Sequence, residues 1–268
     1  MRTLVHLSDL HFGRVNDALL APLLTLVHAI SPHVVAVSGD LTQRARASQF
    51  KQARAFLDRL PQPVIVVPGN HDVPLFNLPA RFLWPLAGYR RYITRDLDPS
   101  FIDDEIAVLG VNTARSLTIK DGRVNHTQVA SLRARFCDLP KDLVKIVVTH
   151  HPFDMPGAAR DTVLVGRAGM ALNMFATCGV DLLLSGHHHQ SSAASADHHA
   201  LAGYKALVVQ AGTTTSTRGR GEANAFNVIR IARHRIDVEH FTWRESGGVF
   251  QPAGRAAFAR DEKGWSPA

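Results

Sequence analysis

Five short polar motifs in this chain each follow directly on an apolar run of the length of a buried strand. Between these runs, stretches such as residues 17–30 carry Leu, Val and Ile on one face at helical spacing. Strands that alternate with helices in this way predict βαβ units and a mainly parallel central sheet. The motifs are Asp9-Leu10-His11, Gly39-Asp40, Gly69-Asn70-His71-Asp72, Thr149-His150-His151-Pro152 and Gly186-His187-His188-His189.

The position of the motifs predicts that they lie together in the folded chain. Loops that leave the carboxyl ends of strands in βα units gather at one edge of the sheet, where ligands bind. Residues two apart on an extended strand end point the same way, so Asp9 and His11 are expected to reach one common point. His187 and His189 have the same spacing. Motifs that are distant in sequence are therefore expected to form one site.

The residue types in the motifs are those that bind divalent metals. Asp40 offers a carboxylate able to bridge two cations, Asn70 a neutral amide oxygen, and His150 an imidazole nitrogen. Mixed nitrogen and oxygen ligands without a thiolate suit manganese, iron or zinc better than calcium or a copper–thiolate site. Two such ions about 3.5–4 Å apart would stabilise both the attacking and the leaving oxygen of a displacement at phosphorus.

Each motif taken alone also has a plain structural interpretation. The Asp-Leu-His triplet and the Gly-Asp pair are compatible with ordinary loops, Asn-His-Asp after Pro-Gly with a turn, and three consecutive histidines with a chance surface feature. The conjunction of all five, each at a predicted strand end, favours metal-assisted phosphoester hydrolysis instead.

The five motifs, which run from Asp9 to His189, resemble the blocks D-x-H, G-D, G-N-H-[DE], H and G-H-x-H of the calcineurin-like metallophosphoesterase superfamily. The resemblance implies an α/β fold, a four-layer αββα sandwich of two mixed sheets flanked by helices, with the metal site at the strand carboxyl ends. Within the superfamily, the chain is most similar to class III cyclic-nucleotide phosphodiesterases and glycerophosphodiesterases.

The resemblance also implies a role for each motif residue. His71 would be a general acid that protonates the leaving oxygen, which a poor alkoxide leaving group needs, and Asp72 would orient His71. Either His150 or His151 could be the ligand of the fourth motif, and the resemblance favours His150. The implied metal ligands are Asp9, His11 and His189 for the first ion, Asn70, His150 and His187 for the second, and Asp40 as the bridge.

The expected function is that of a metal-dependent phosphodiesterase, in which a metal-bridging hydroxide attacks a cyclic nucleotide or a glycerophosphodiester. The alternatives are a phosphomonoesterase or a nucleotide-diphosphate pyrophosphatase on the same site, and a non-catalytic metal-binding scaffold. The intact His71 argues against the scaffold, since a scaffold has no need of a general acid. Candidate substrate contacts are Asn112 at a strand end and Arg218 and Arg220 in a loop, where solvated arginines are the plain alternative.

The overall charge fits a phosphorylated substrate. The formal net charge is +7, but the basic residues are spread out rather than gathered in runs. A basic surface attracts a small phosphodiester, and no specific nucleic-acid binding is expected. The sequence leaves a homo-oligomer open.

The remaining expectations concern cellular setting and organisation. Cys137 and Cys178 lack metal or redox spacing and are expected to be buried thiols rather than a disulfide framework. The chain has no apolar run long enough for a membrane span and no signal-peptide pattern, so a cytoplasmic protein is expected. One domain is predicted over residues 1–268, with 245–268 as a surface tail. Residues 205–210, 225–231 and 235–242 are predicted to form an antiparallel meander.

Overall fold

A computed structural model of the chain describes residues 1–118, 120–155, 164–189, 191–195, 205–218, 221–262 and 264–268. The described residues form two sheets that pack face to face, with helices on both outer sides. This arrangement confirms the predicted αββα sandwich.

The elements have the following bounds. The helices are α1 Leu20–Ile30, α2 Ala47–Leu57, α3 Leu78–Leu83, α4 Ala87–Tyr92, α5 His126–Phe136 and α6 Ala168–Cys178, with short 3-10 helices at Asp17–Leu19 and Asn70–Asp72. The strands are β1 Arg2–Leu7, β2 Val34–Ser38, β3 Val64–Val67, β4 Ser100–Ile102, β5 Ile106–Gly110, β6 Val144–Val148, β7 Leu182–Ser185, β8 Ser192–Ser195, β9 Leu207–Gln210, β10 Ala225–Ala232, β11 Arg235–Arg244, β12 Val249–Asp261 and β13 Gly264–Pro267.

Both sheets are mixed. The first has the order β13-β12-β11-β10-β1-β2-β3, in which β1, β2 and β3 are parallel and the other pairs antiparallel. The second has the order β4-β5-β6-β7-β9-β8, in which β5, β6, β7 and β9 are parallel and the two edge strands antiparallel. The predicted parallel strands thus form one side of the first sheet, with β3 at its edge, and the centre of the second.

The layers follow from the alternation of side chains along each strand. In β1, Leu4 faces the second sheet, whereas Val5 and Leu7 face α1 and α2. A second outer core lies between the other face of the second sheet and α5 and α6, where Val147 packs near Phe175. Because both faces of these strands are covered, they are apolar throughout, as is usual for buried parallel strands.

The expectation of two free thiols is wrong in this structure. Cys137, just after α5, forms a disulfide with Cys178, the last residue of α6. The Nζ of Lys145 joins the same helix ends, since it donates to the carbonyls of Phe136 (2.9 Å) and Cys178 (2.9 Å). The two cysteines are 41 residues apart in sequence. Their pairing depends on how α5 and α6 pack against each other, which the cysteine spacing does not reveal.

The expectation of a C-terminal surface tail is also wrong. Residues 249–261 and 264–267 form the last two strands of the first sheet. Trp265 is 1% exposed, and its Nε1 donates to Asp181 Oδ1 at 2.9 Å. The β12 strand has no regular apolar alternation because it lies near the sheet edge with most side chains exposed.

The predicted meander is corrected in one respect. The strands β10, β11 and β12 do run antiparallel. However, β9 belongs to the second sheet, where it lies parallel to β7. Its apolar pattern is compatible with either sheet, so only the tertiary pairing decides. Among the described residues, no helix has the length and apolarity needed to cross a membrane.

Candidate metal centre

The five motifs lie at the carboxyl ends of five parallel strands, three in the first sheet (β1, β2, β3) and two in the second (β6, β7). The two sheets therefore contribute loops to one edge of the sandwich. Groups of potential metal-ligating atoms within 4.8 Å of one another form there. These groups are Asp9, His11 and His189; Asp9, Asp40 and His150; His11, Asp40 and His71; and His150, His151 and His187.

The backbone at this edge is strained. Of the eight non-glycine residues with positive φ among those described, five are motif residues. Left-handed backbone is disfavoured for residues that have a Cβ, and such positions concentrate at functional sites. The positive φ values after β1, β2 and β7 change the direction of the backbone there, and the side chains of these motif residues lie close together. The five are Asp9, His11, Asp40, His187 and His189.

Two motif glycines permit a close approach of the loops. A Cβ on Gly69 would collide with the carboxylate and backbone nitrogen of Asp40, and one on Gly186 would collide with Ser8 Oγ and Asp9 Oδ2. Neither neighbour can move without displacing a site carboxylate. The glycines thus belong to the packing of the centre.

Asp9, His11 and His189 form the first half of the centre. Asp9 Oδ1 lies 3.4 Å from His11 Nε2 and 3.4 Å from His189 Nε2. The other oxygen, Oδ2, accepts hydrogen bonds from Ser8 Oγ (2.6 Å) and from the backbone nitrogen of His187 (3.1 Å). One carboxylate oxygen is therefore fixed by the protein, and the other faces two imidazole nitrogens.

The second half is built around His150. Its Nε2 lies 3.4 Å from Asp40 Oδ2, 3.2 Å from Asn70 Oδ1 and 3.3 Å from His187 Nδ1. Asp40 Oδ2 is also 3.7 Å from His11 Nε2 in the first half. Asp40 Oδ1 accepts a hydrogen bond from the backbone nitrogen of His71 at 2.8 Å. The Asp40 carboxylate thus lies between the two halves.

The arrangement fits bound cations. Asp9 Oδ1 and His11 Nε2 are buried and have no hydrogen-bond partner among the described residues, although unpaired buried polar atoms are costly. Burial alone would raise the pKa of Asp40, but the imidazoles of His150, His11 and His71 hold it well below its usual value. Ionised carboxylates and unpaired nitrogens that converge on one point are the donor set a divalent metal needs.

The structure separates His150 from His151. The Nδ1 of His150 is 2.8 Å from the carbonyl of Ser38, which leaves Nε2 directed into the site. Both ring nitrogens of His151 have protein partners, Thr113 Oγ1 at 2.7 Å and the carbonyl of Lys120 at 2.9 Å. A metal-binding imidazole typically has one nitrogen directed to the metal and the other hydrogen-bonded to a carbonyl. Of these two histidines, only His150 has one nitrogen bonded to a carbonyl and the other directed to the ligand atoms.

His71 lies at the rim of the centre, with its side chain 20% exposed. Its Nε2 is 4.0 Å from Asp40 Oδ2 and 3.1 Å from Arg218 Nη1, and its Nδ1 is 2.9 Å from the carbonyl of Gln43. Burial lowers the pKa of the imidazole, and the nearby Asp40 carboxylate partly offsets this. The imidazole is therefore positioned beside the site without being enclosed in it.

The predicted orientation of His71 by Asp72 is corrected. The Asp72 carboxylate accepts hydrogen bonds from the backbone nitrogens of Gly69 (2.9 Å), Leu41 (3.1 Å) and Thr42 (2.9 Å). It thereby joins the Gly-Asp loop to the Gly-Asn-His-Asp loop, whereas the Gln43 carbonyl bonds the His71 imidazole. A short 3-10 turn at Asn70–Asp72 directs successive side chains apart, which the sequence motif does not show.

The three candidate substrate residues have different positions. Arg218 reaches the site through its contact with His71. Asn112 is 5% exposed, and its Oδ1 accepts a hydrogen bond from the backbone nitrogen of Ala114 at 2.9 Å. It lines a cavity away from the four ligand groups, together with Trp84. Arg220 lies outside the described residues.

Several supporting residues are absent from the motif-based prediction. Ser38 and Gln43 contribute carbonyls to His150 and His71, and Thr213 Oγ1 is hydrogen-bonded to His189 Nδ1. Backbone carbonyls carry no side-chain signature. The Thr213-Thr214-Thr215 run after β9 is the one signal that could have indicated such a role, since Thr214 Oγ1 also accepts from the Ser8 nitrogen at 3.0 Å.

Comparison with known proteins agrees with this geometry. The profile of the calcineurin-like phosphoesterase family (Metallophos) matches residues 2–191. The chain belongs to the calcineurin-like phosphoesterase family, whose members bind divalent metals at a dinuclear site. The chain is 25% identical over 171 residues to the glycerophosphodiester phosphodiesterase GpdQ of Enterobacter lignolyticus (strain SCF1), and the match covers 60% of each chain.

Two solved structures share the fold. A purple acid phosphatase, PPD1, from yellow lupin (Lupinus luteus) seeds has a TM-score of 0.71 at 12% identity, with 97% of this chain and 54% of that chain covered. A dimetal phosphatase from Danio rerio has a TM-score of 0.66 at 15% identity, with 89% and 95% covered. At these identities the likeness concerns the fold alone.

Proposed function

We propose that the chain is a metal-dependent phosphodiesterase that hydrolyses a small phosphodiester, a cyclic nucleotide or a glycerophosphodiester. One observation carries the proposal: Asp40 lies between two groups of ligand atoms, and the His71 imidazole lies 4.0 Å from its Oδ2 on the open side. A dinuclear centre with a protonatable group beside it is the arrangement that ester cleavage at phosphorus requires.

The donor set supports two ions. Asp9, His11 and His189 would hold one ion, Asn70, His150 and His187 the other, and Asp40, which lies between the two groups, would serve both. When bound, such ions place positive charge beside the phosphoryl oxygens and lower the pKa of a water molecule bound to them to about 7. Manganese, iron and zinc all suit this donor set.

The role of His71 follows from its hydrogen bonds. The Gln43 carbonyl accepts from Nδ1, so Nε2 is the atom directed to the open side. A proton carried on Nε2 would go to the leaving alkoxide oxygen, and Arg218 would meanwhile bind a non-bridging phosphoryl oxygen. A guanidinium suits that contact because its donors match the spacing of phosphate oxygens.

Two considerations bear on the choice of substrate. An alkoxide is a poor leaving group in a diester and in an alkyl monoester alike, so a general acid beside the site favours both over a pyrophosphate, which releases a phosphate. The relative GpdQ is named as a glycerophosphodiester phosphodiesterase, and this chain spans 60% of its length. A phosphomonoesterase or a nucleotide-diphosphate pyrophosphatase on the same centre is the second candidate. A non-catalytic scaffold is less consistent with the position of His71.

The test is turnover of bis(p-nitrophenyl) phosphate by protein loaded in turn with manganese, iron and zinc. We expect Asp40→Ala to reduce kcat on this substrate by a factor on the order of 10²–10⁴. His71→Ala should reduce turnover of an alkyl diester, whose alkoxide needs a proton, more than that of bis(p-nitrophenyl) phosphate. Asp58→Ala is the matched control, since Asp58 pairs with Arg54 on an exposed helix end and belongs to none of the ligand groups.

Relative rates on monoester, diester and pyrophosphate substrates separate the two enzymatic candidates. A rate on p-nitrophenyl phosphate well above that on the diester would assign the centre to a phosphomonoesterase. Unchanged turnover in Asp40→Ala would contradict both. Bound metal without hydrolysis of any ester would support the scaffold.

A further inference from the structure

An exposed apolar patch lies on α3 and on the segment 113–118. Of the nine large hydrophobic side chains that are exposed among the described residues, six lie on or next to α3 and the 113–118 segment. Trp84 is 63% exposed and Leu117 is 81% exposed. Concentrated exposure of this kind marks an interaction surface, whereas single exposed hydrophobics do not. We call the set the apolar rim: Phe76, Leu78, Phe82, Leu83, Trp84 and Leu117.

A buried arginine holds the two parts of the rim together. Arg81 is 3% exposed, and its guanidinium donates to the carbonyls of Pro74 (3.0 Å), Ser116 (2.8 Å) and Thr118 (2.6 Å). Burial of a guanidinium is costly unless it is hydrogen-bonded. These bonds fix α3 against the segment that carries Leu117, so the outward-facing hydrophobics are part of a defined surface.

The rim is positively charged. Residues 73–98 contain three exposed arginines, Arg90, Arg91 and Arg95, besides the buried Arg81, against two acidic residues, Asp96 and Asp98. Residues 113–121 contain Arg115 and Lys120 against Asp121. Arg90 and Arg115 line a cavity of about 450 Å³ together with Leu83 and Trp84. The Arg44 guanidinium lies 5.2 Å from the centre of the Phe76 ring. Cations therefore surround the exposed hydrophobics.

The rim is joined to the loops of the candidate metal centre at two points. Pro74, whose carbonyl accepts from Arg81, is two residues after the end of the Asn-His-Asp turn. On the other side, the Lys120 carbonyl is hydrogen-bonded to His151, whose ring centre lies 4.8 Å from that of His150 and 4.7 Å from that of His187. The rim is therefore connected to the centre through these two loop segments.

We propose that the apolar rim binds the surface of an anionic phospholipid membrane. Exposed Trp, Phe and Leu side chains that enter the headgroup region, together with Lys and Arg nearby, are the features of peripheral membrane binding. A second copy of the chain is a poorer partner, because the arginines of one rim would face those of the other. The inference is independent of the proposed activity, because it rests on the surface alone.

The test is co-sedimentation with vesicles, in the presence of a chelator so that binding is separated from hydrolysis. Vesicles of phosphatidylcholine alone are compared with vesicles that also contain phosphatidylglycerol. We expect binding to the anionic vesicles, weakened by added salt. The double variants Leu83→Ser/Trp84→Ser and Arg90→Ala/Arg91→Ala should each weaken it on the order of tenfold or more.

Ile102→Ser is the matched control, since Ile102 is an exposed hydrophobic (48%) on β4. Thermal melts that match wild type show that the rim variants remain folded, whether or not the protein has esterase activity. Absence of binding to anionic vesicles, equal binding to neutral ones, or an equal loss in Ile102→Ser would overturn the proposal. The proposal would also be overturned if light scattering without lipid showed a dimer for the wild type and a monomer for Leu83→Ser/Trp84→Ser. In that case a second copy of the chain would cover the rim.

Discussion

The guanidinium Nη1 of Arg218 lies 3.1 Å from the Nε2 of His71, although the two residues are 147 positions apart. A guanidinium only donates, so Nε2 accepts, and the proton of the ring lies on Nδ1 next to the Gln43 carbonyl. The imidazole is therefore neutral in this arrangement, in agreement with a pKa lowered first by burial. For His71 to act as an acid, its Nε2 must carry a proton, so Arg218 must turn to another acceptor, and the phosphoryl oxygen of a substrate is a suitable one.

This relationship predicts the effect of Arg218→Ala on the pH profile of diester hydrolysis. The charge of Arg218 contributes to lowering the pKa of His71, so its removal raises that pKa. Because a general acid must be protonated, the basic limb of kcat/KM should move to higher pH, while kcat/KM itself falls on the order of tenfold to a hundredfold. Arg218→Lys keeps the charge and should leave the limb near its wild-type position. A limb that moves to lower pH in Arg218→Ala would contradict the assignment.

His150 and His151 are neighbours with different expected effects on metal binding. His150→Ala should lower the bound manganese from two ions toward one, as measured by elemental analysis after gel filtration. His151→Ala should retain both ions and lower the melting temperature, because its ring joins Thr113 to the Lys120 carbonyl. The converse result would identify His151 as the ligand.

The C-terminal strand is predicted to contribute to stability. Trp265→Ala removes a side chain that is 1% exposed and packs in the core between the two sheets. We expect a loss of about 3–5 kcal/mol in the free energy of unfolding, measured by urea denaturation. Ser266→Ala, one residue further on, should change it little. A small effect of Trp265→Ala would contradict the contribution of this strand to the core.

A buried histidine predicts how stability depends on pH. Burial lowers the pKa of His6 from its usual 6.5 to about 3. Between these values the unfolded chain binds a proton that the folded chain does not, so stability is full above about pH 6.5 and is lost as pH falls toward about 3. His6→Asn should reduce the slope of unfolding free energy against pH in this window, measured with a chelator present. The exposed His126→Asn is the control and should leave the slope unchanged.

The sequence predicted the parts of the fold that depend on local pattern. The apolar runs that precede Asp9, Asp40 and His150 are strands, and the helical spacing of residues 17–30 corresponds to a 3-10 turn followed by α1. The motifs meet because parallel strands share one edge, a rule that needs no knowledge of the partners. The roles of the individual ligands remain predictions that metal analysis of single variants would test.

The strands, the helices and the convergence of the motif side chains at the strand ends could be predicted from the chain alone, because these follow from residue type and spacing. The αββα sandwich and the family followed from the resemblance that the five motifs carry. The tertiary structure decided which nitrogen each histidine presents, why Asp72 joins two loops, which sheet contains β9, and that Arg218 contacts His71. It also decided the pairing of Cys137 with Cys178. These features are contacts between residues distant along the chain, often through backbone carbonyls, and such contacts have no local sequence signature.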